Sequence, residues 1–139
     1  MRHILYRARR ISGGPWVYGY PHPVEKGNQR TFVITTENSS GTLSTVDIIP
    51  ETICEATGMK DRRGEMVYEG DIVRYRVTDE RYTRNPRFAT LLISYDPQMA
   101  RFEAGDIFWQ DLNSKRLTVI GNIFDNKYLL ELTQVSQVI

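Results

Sequence analysis

The chain has 139 residues, a formal net charge of +1 and a single cysteine, Cys54. That length suits one domain or two small packed halves, and a chain this size buries roughly two-thirds of its extended surface, so it folds without staples. The 40% apolar and 25% charged content excludes the disordered class, the near-zero net charge excludes a global pull toward nucleic acid or membrane, and one cysteine excludes a disulfide framework.

Taken in order, Ile4, Tyr6 and Ala8 alternate with Leu5, Arg7 and Arg9, which predicts a strand with one wetter face. Ser12-Gly13-Gly14-Pro15 breaks it, and the aromatic, β-branched run Trp16 to Tyr20 is its expected hairpin partner. Pro21-His22-Pro23 is expected to end that strand, because proline cannot continue a ladder, and Glu25 to Arg30 reads as a polar loop. Thr31 to Thr36 and Leu43 to Ile49 are strands around the turn cluster Glu37 to Gly41. Thr52 to Ala56 is a short strand or one helical turn after Pro50, with the Thr and Ile content favouring strand.

Thr57-Gly58 and Asp61 to Gly64 are turn signals around Met59 and Lys60, and Glu65 to Tyr68 is extended. Glu69-Gly70 is a tight turn before the strand Ile72 to Val77, whose expected core face is Val73, Tyr75 and Val77. Thr78 to Arg87 is a polar stretch. Phe88 to Tyr95 and Arg101 to Ala104 form a hairpin around Asp96 to Met99, and Gly105 to Asn113 is a loop or short helix. Arg116 to Phe124 is the last long strand, with Gly121 as a bulge candidate, and Asp125-Asn126 is placed to cap a helical turn holding Leu129, Leu130 and Leu132. Eight or nine short strands with turn signals every ~8–12 residues predict a mainly β sandwich or barrel with few or no long helices. Antiparallel N-terminal hairpins over 1–50 would pack with a small SH3-like barrel over 51–139.

The chemistry is sparse. His3, His22 and Cys54 make neither a Cys/His cluster nor an HExxH helix, so no metal or other cofactor is expected. Asp96, Asp106, Asp111 and Asp125 sit in loops, where aspartate is a preferred turn residue. Cys54 lies beside Ile53 in a strand-like run and reads as a small buried hydrophobe rather than a nucleophile partnered by His22. GxSxG, GxxxxGK[ST] and GxGxxG are absent. The carboxylates Glu65, Glu69 and Asp71 are close in sequence, but Asp71 follows a tight turn and is expected to accept local backbone N–H groups.

Two groups join basic and aromatic residues: Arg7, Arg9 and Arg10 near Tyr6, Trp16, Tyr18 and Tyr20, and Arg74, Arg76, Arg81, Arg84 and Arg87 with Tyr75 and Tyr82. Such groups track a phosphate backbone and stack bases. Against that reading, Asp79 and Glu80 interrupt the second group, and a solvated strand face with its aromatics in the core is the plainer alternative.

Three blocks now stand in order along the chain: MRHILYRAR with the following Trp16 to Gly19, TGMKDRRGEMVYEGDIVRY, and VIGNIFDNKYLLE. Together they resemble the YopX family of small proteins from bacteriophages, prophages, Gram-positive genomes and gut bacteria. The central match is carried by Thr57, Gly58, Lys60, Asp61, Gly64, Tyr68, Glu69, Gly70, Asp71, Ile72 and Val73. Gly121, Asn122, Ile123, Asn126, Leu129 and Leu130 carry the late match. Arg9 stands where the family often has Trp, and Lys127-Tyr128 where it has Pro-Glu. The resemblance implies a mainly β fold and brings no established biochemical activity. The signature residues are explained by turn geometry, with glycines for backbone freedom and Asp61 and Asp71 for local hydrogen bonds.

The opening residues lack the apolar core of an export signal, and no apolar run reaches the ~18–20 residues that span a bilayer. A protein of the bacterial cytoplasm without membrane contact is therefore expected. The preferred reading is a non-enzymatic phage or prophage accessory module that binds a protein partner or itself. Nucleic-acid binding through Arg7, Arg9, Arg74, Arg76, Tyr82 and Arg84 is the alternative, and a small-ligand binder or enzyme using Glu69 and Asp71 is the third reading.

Overall fold

The computed structural model describes residues 5–77 and 87–131. Expectations that fall on Ile4, Arg81, Tyr82, Arg84 and Leu132 lie outside those residues. The described chain is mainly β and divides into two compact units, 1–56 and 57–139.

In the first unit, β1 (Tyr6–Ala8) pairs antiparallel with β2 (Val17–Gly19), in register Tyr6↔Gly19 and Ala8↔Val17. The Ser12 to Pro15 break thus makes the expected hairpin. On its other side β1 meets the start of β6 (Cys54–Lys60), with Tyr6↔Glu55 and Arg7↔Cys54. A second sheet has the order β3-β4-β5, from Pro21–Lys26, Gln29–Glu37 and Leu43–Ile48. Ala8, Val17, Ile34 and Ile48 form the core, with Phe32, Val46 and Ile53 packed against it. Each fully buried isoleucine contributes about 1.5–3 kcal/mol relative to exposure.

Three expectations for this unit are corrected. Pro21-His22-Pro23 does not end a strand but starts β3, paired Pro21↔Ile34 and Pro23↔Phe32. The two prolines share one parity on an edge strand. Residues of one parity bond the neighbouring strand and those of the other face away, so the ladder needs no N–H from either proline. The supposed loop Glu25 to Arg30 is the hairpin itself, with Glu25↔Arg30 and Lys26↔Gln29 paired around Gly27-Asn28. Arg7, placed on a wetter face by alternation, is 8% exposed, with its guanidinium carbon 4.2 Å from the Trp16 ring centroid. Both readings of the segment after Pro50 hold in succession: a 3₁₀ turn at Pro50–Thr52, then β6.

In the second unit, β7 (Met66–Tyr68) neighbours β6, and a four-stranded sheet has the order β10-β9-β8-β11. Its strands are Arg101–Ala104, Phe88–Asp96, Asp71–Arg76 and Leu117–Asn122. The expected SH3-like barrel goes further than these ladders. Val67, Val73, Tyr75, Ile93, Ala104 and Leu117 form the core. The predicted core face of β8 keeps Val73 and Tyr75, but Ile72 is fully buried and Val77 is 43% exposed; the strand enters buried on both faces and leaves at the surface. Thr57-Gly58 is not a turn. The strand β6 continues through it because Gly58 adopts φ 87°, a kink that a side chain would resist. Thr57 braces the kink, its hydroxyl donating to the Val67 carbonyl at 2.8 Å and accepting from the Met59 N–H at 3.1 Å. Gly105 to Asn113 contains a 3₁₀ turn at Trp109–Asp111, and the turn at 128–131 is helical.

The bulge expected at Gly121 is present: the β8–β11 register slips between Val119 and Gly121, leaving Ile120 as the extra residue. Gly121 is required for space, since a Cβ there would stand 2.6 Å from the Asn126 Oδ1. That oxygen accepts the Asn122 N–H, so Asn126 reaches backward rather than capping the turn ahead.

Candidate functional site

The outward face of the second unit's sheet is set by register. Residues directly opposite on neighbouring strands share a face, and Arg74 faces Thr118 on β11 and Thr90 on β9, while Arg76 faces Phe88. Their parity is opposite to Val73 and Tyr75, so burying that pair turns both arginines outward. Lys115 and Arg116 arrive on a 3₁₀ turn, Ser114–Arg116, whose start is tied by the Asn113 Oδ1 accepting the Lys115 N–H at 3.0 Å. Arg62 comes from the β6–β7 turn and is held beside β11 by its own N–H donating to the Leu117 carbonyl at 2.8 Å. The bulge adds Ile120, 39% exposed.

These residues line a groove of about 250 Å³: Arg62, Arg74, Arg76, Phe88, Lys115, Arg116, Thr118 and Ile120. Among the described residues, five cationic side chains and no carboxylate line it. The Arg74 guanidinium carbon lies over the Phe88 ring, 3.9 Å from its centroid, a cation–π contact. The neighbouring Arg63 is occupied differently. Its Nη2 donates to the Val119 carbonyl at 2.8 Å and to Glu65 at 3.3 Å, and its Nε lies 3.7 Å from Asp61.

Asp61 anchors the turn that presents Arg62. Its Oδ1 accepts the N–H groups of Arg63 and Glu65, both at 2.9 Å, and its Oδ2 accepts the Val119 N–H at 3.0 Å. Burial acts to raise its pKa, but the three backbone N–H groups and the Arg63 charge outweigh that, leaving the carboxyl below the usual carboxylate range.

A second hollow of about 250 Å³ is bounded by Arg101, Phe102, Glu103, Gly105, Asp106, Ile107, Phe108 and Trp109. Its charges are mixed, and Arg101 lies 3.7 Å from Glu103, so it lacks the one-sided field of the first.

The remaining sequence candidates fall elsewhere. Arg7 and Arg9 both lie over the Trp16 ring, 4.2 and 4.1 Å from its centroid, in the first unit. Tyr75, on the expected core face of β8, is 6% exposed and accepts the Asn113 N–H on its hydroxyl; it does not serve the alternative basic and aromatic surface, and the groove's aromatic residue is Phe88. Asp71 is 1% exposed and accepts the Tyr68 N–H at 2.8 Å, the local bond its turn position implies. Glu65 pairs with Arg63. Cys54 is buried, its thiol donating to the Thr52 carbonyl. Among the described residues, no group of three or more His, Cys, Asp or Glu side chains is arranged to hold a metal ion, and no helix is long and apolar enough to cross a membrane. Asp96 and Asp125 accept turn bonds from Gln98 and Asn122.

Sequence reasoning found Arg74 and Arg76 and missed Arg62, Lys115, Arg116, Phe88 and Ile120. One signal was available: Arg116 and Thr118 share a parity on the predicted last strand. Nothing local places Arg62, which reaches the groove only through the β6–β7 turn.

The family model described as YopX protein matches residues 6–131. Among curated proteins, none matches the sequence. The crystal structure of protein EF1440 from Enterococcus faecalis superposes with a TM-score of 0.58 at 22% identity, covering 92% of this chain and 98% of that one, and shows a shared fold.

Proposed function

The chain belongs to the YopX family, and from that premise we propose that it is a non-enzymatic phage or prophage accessory module of the bacterial cytoplasm that binds a nucleic-acid backbone. The observation that carries this reading is the groove whose lining, among the described residues, holds five cationic side chains and no carboxylate. In a chain of net charge +1, such local excess is a focused field, which attracts phosphates where the whole molecule would not. The non-enzymatic part is supported by Asp71, whose carboxylate is buried and engaged with backbone. Arg7 and Arg9, stacked on Trp16, add no support to the interface.

Fluorescence anisotropy with a labelled oligonucleotide at about 50 mM salt tests it. The double variant Arg74→Glu, Lys115→Glu reverses two exposed charges without touching the core, and is expected to weaken binding at least about tenfold, since two cations of the groove become anions that repel the backbone. No binding by the native chain, or equal binding by the variant, rejects the reading. A protein partner captured from induced host cells, and retained after nuclease treatment, would favour an assembly module instead.

A further inference from the structure

We infer that the groove accepts a single strand, with one unstacked base lying on the Phe88–Arg74 pair, and not a duplex. This rests on the nucleic-acid reading above and specifies its partner.

Size is the first argument. A cavity of about 150 Å³ holds one benzene, so about 250 Å³ has room for one base with part of its backbone and not for a base pair. Shape is the second. Duplex readers insert a protruding helix or ribbon into a groove about 12 Å wide, whereas here the cations stand around a recess, which meets a duplex only along one phosphate ridge. Lining chemistry is the third. A site for phosphates alone has no use for apolar surface, yet Phe88 is 41% exposed and Ile120 is 39% exposed in the lining. In a duplex the base faces are covered by their neighbours; only an unstacked base has a π-face to lay on an aromatic ring. The Arg74 guanidinium carbon already lies over the Phe88 ring, 3.9 Å from its centroid, so the pair offers a stacking platform. Arg62, Lys115 and Arg116, from the turns flanking β11, are placed to meet the phosphates on either side of that base.

The test compares three labelled probes of about 12 nucleotides, a length within the span of known single-strand sites: a thymidylate strand, an abasic strand with the same backbone, and a duplex. They are measured against the native chain, Phe88→Ala and Phe88→Leu at one salt concentration. The thymidylate strand is expected to bind the native chain about 5- to 150-fold more tightly than the abasic strand, the range one stacked base contributes. Phe88→Leu, which keeps an apolar side chain on the exposed strand end, is expected to remove most of that difference. The comparison of probes on the native chain stands even where Phe88→Ala misfolds. Equal affinity for the abasic strand overturns the stacked base and leaves the backbone reading standing. A duplex bound as tightly as the single strand overturns the strandedness. Failure of all three probes to bind rejects the proposed function itself.

Discussion

Asp61 has no exposed side-chain surface and accepts three backbone N–H groups. Replacing it with alanine leaves those three part-buried donors without the carboxylate and is expected to cost about 2–4 kcal/mol, at roughly 1–3 kcal/mol for each unsatisfied group after partial relaxation. Asp61→Asn keeps one acceptor oxygen but points an amide N–H₂ at the Val119 N–H or at the turn, so it is expected to fall between the two. The carboxyl is held below its ordinary value in the folded state, and the sign of the pH effect follows. A depressed folded pKa contributes stability above the unfolded value of about 3.9, and that contribution is lost as pH falls through the folded value. Chemical unfolding followed from pH ~6 downward should therefore show a loss below about 4 that is absent in Asp61→Asn. An unchanged acid profile in that variant would mean that Asp61 does not carry the linkage. This role was legible before the fold was known, because Asp-x-x-Gly between two extended pieces is turn chemistry. The bond to Val119, 58 residues away, was not.

At the scale of elements, β3 shows how a composition rule misleads when the partner is unknown. Proline removes a ladder donor, and that reasoning ended the strand at Pro21. On the edge of β3-β4-β5 the missing donors belong on the open side, where they hinder pairing with another chain. Pro21→Thr with Pro23→Thr restores two outward N–H groups. The double variant is expected to self-associate more than the native chain in sedimentation velocity, with its secondary structure retained; unchanged sedimentation would remove this role from the prolines. In the second unit, alternation correctly separated Val73 and Tyr75 from Arg74 and Arg76. It failed at Ile72 and Val77 because burial on the second face depends on which strand or turn covers it, a non-local matter.

For the whole molecule, net charge and local field make opposing forecasts. A chain at +1 with no organised cations would bind an oligonucleotide weakly and with little salt dependence. A groove that neutralises about four phosphates gives a slope of log K against log salt near −3 for a single strand. A measured slope near zero would sink the groove as an interface even if binding were seen. The sequence by itself determined the β class, the turns at Asp61 to Gly64 and Glu69-Gly70, the bulge at Gly121 and the family signature. These depend on side-chain period, proline and glycine geometry, and short-range hydrogen bonds, all of which act over a few residues. Only the tertiary structure decided that Arg62, Arg74, Arg76, Lys115 and Arg116 share one groove. Two loops and the register of β8 against β11 bring together residues up to 54 positions apart, from Arg62 to Arg116. Tertiary structure also decided that Phe88 belongs to the surface. An aromatic residue suits either side of a strand, and only the sheet's packing selects which side is dry.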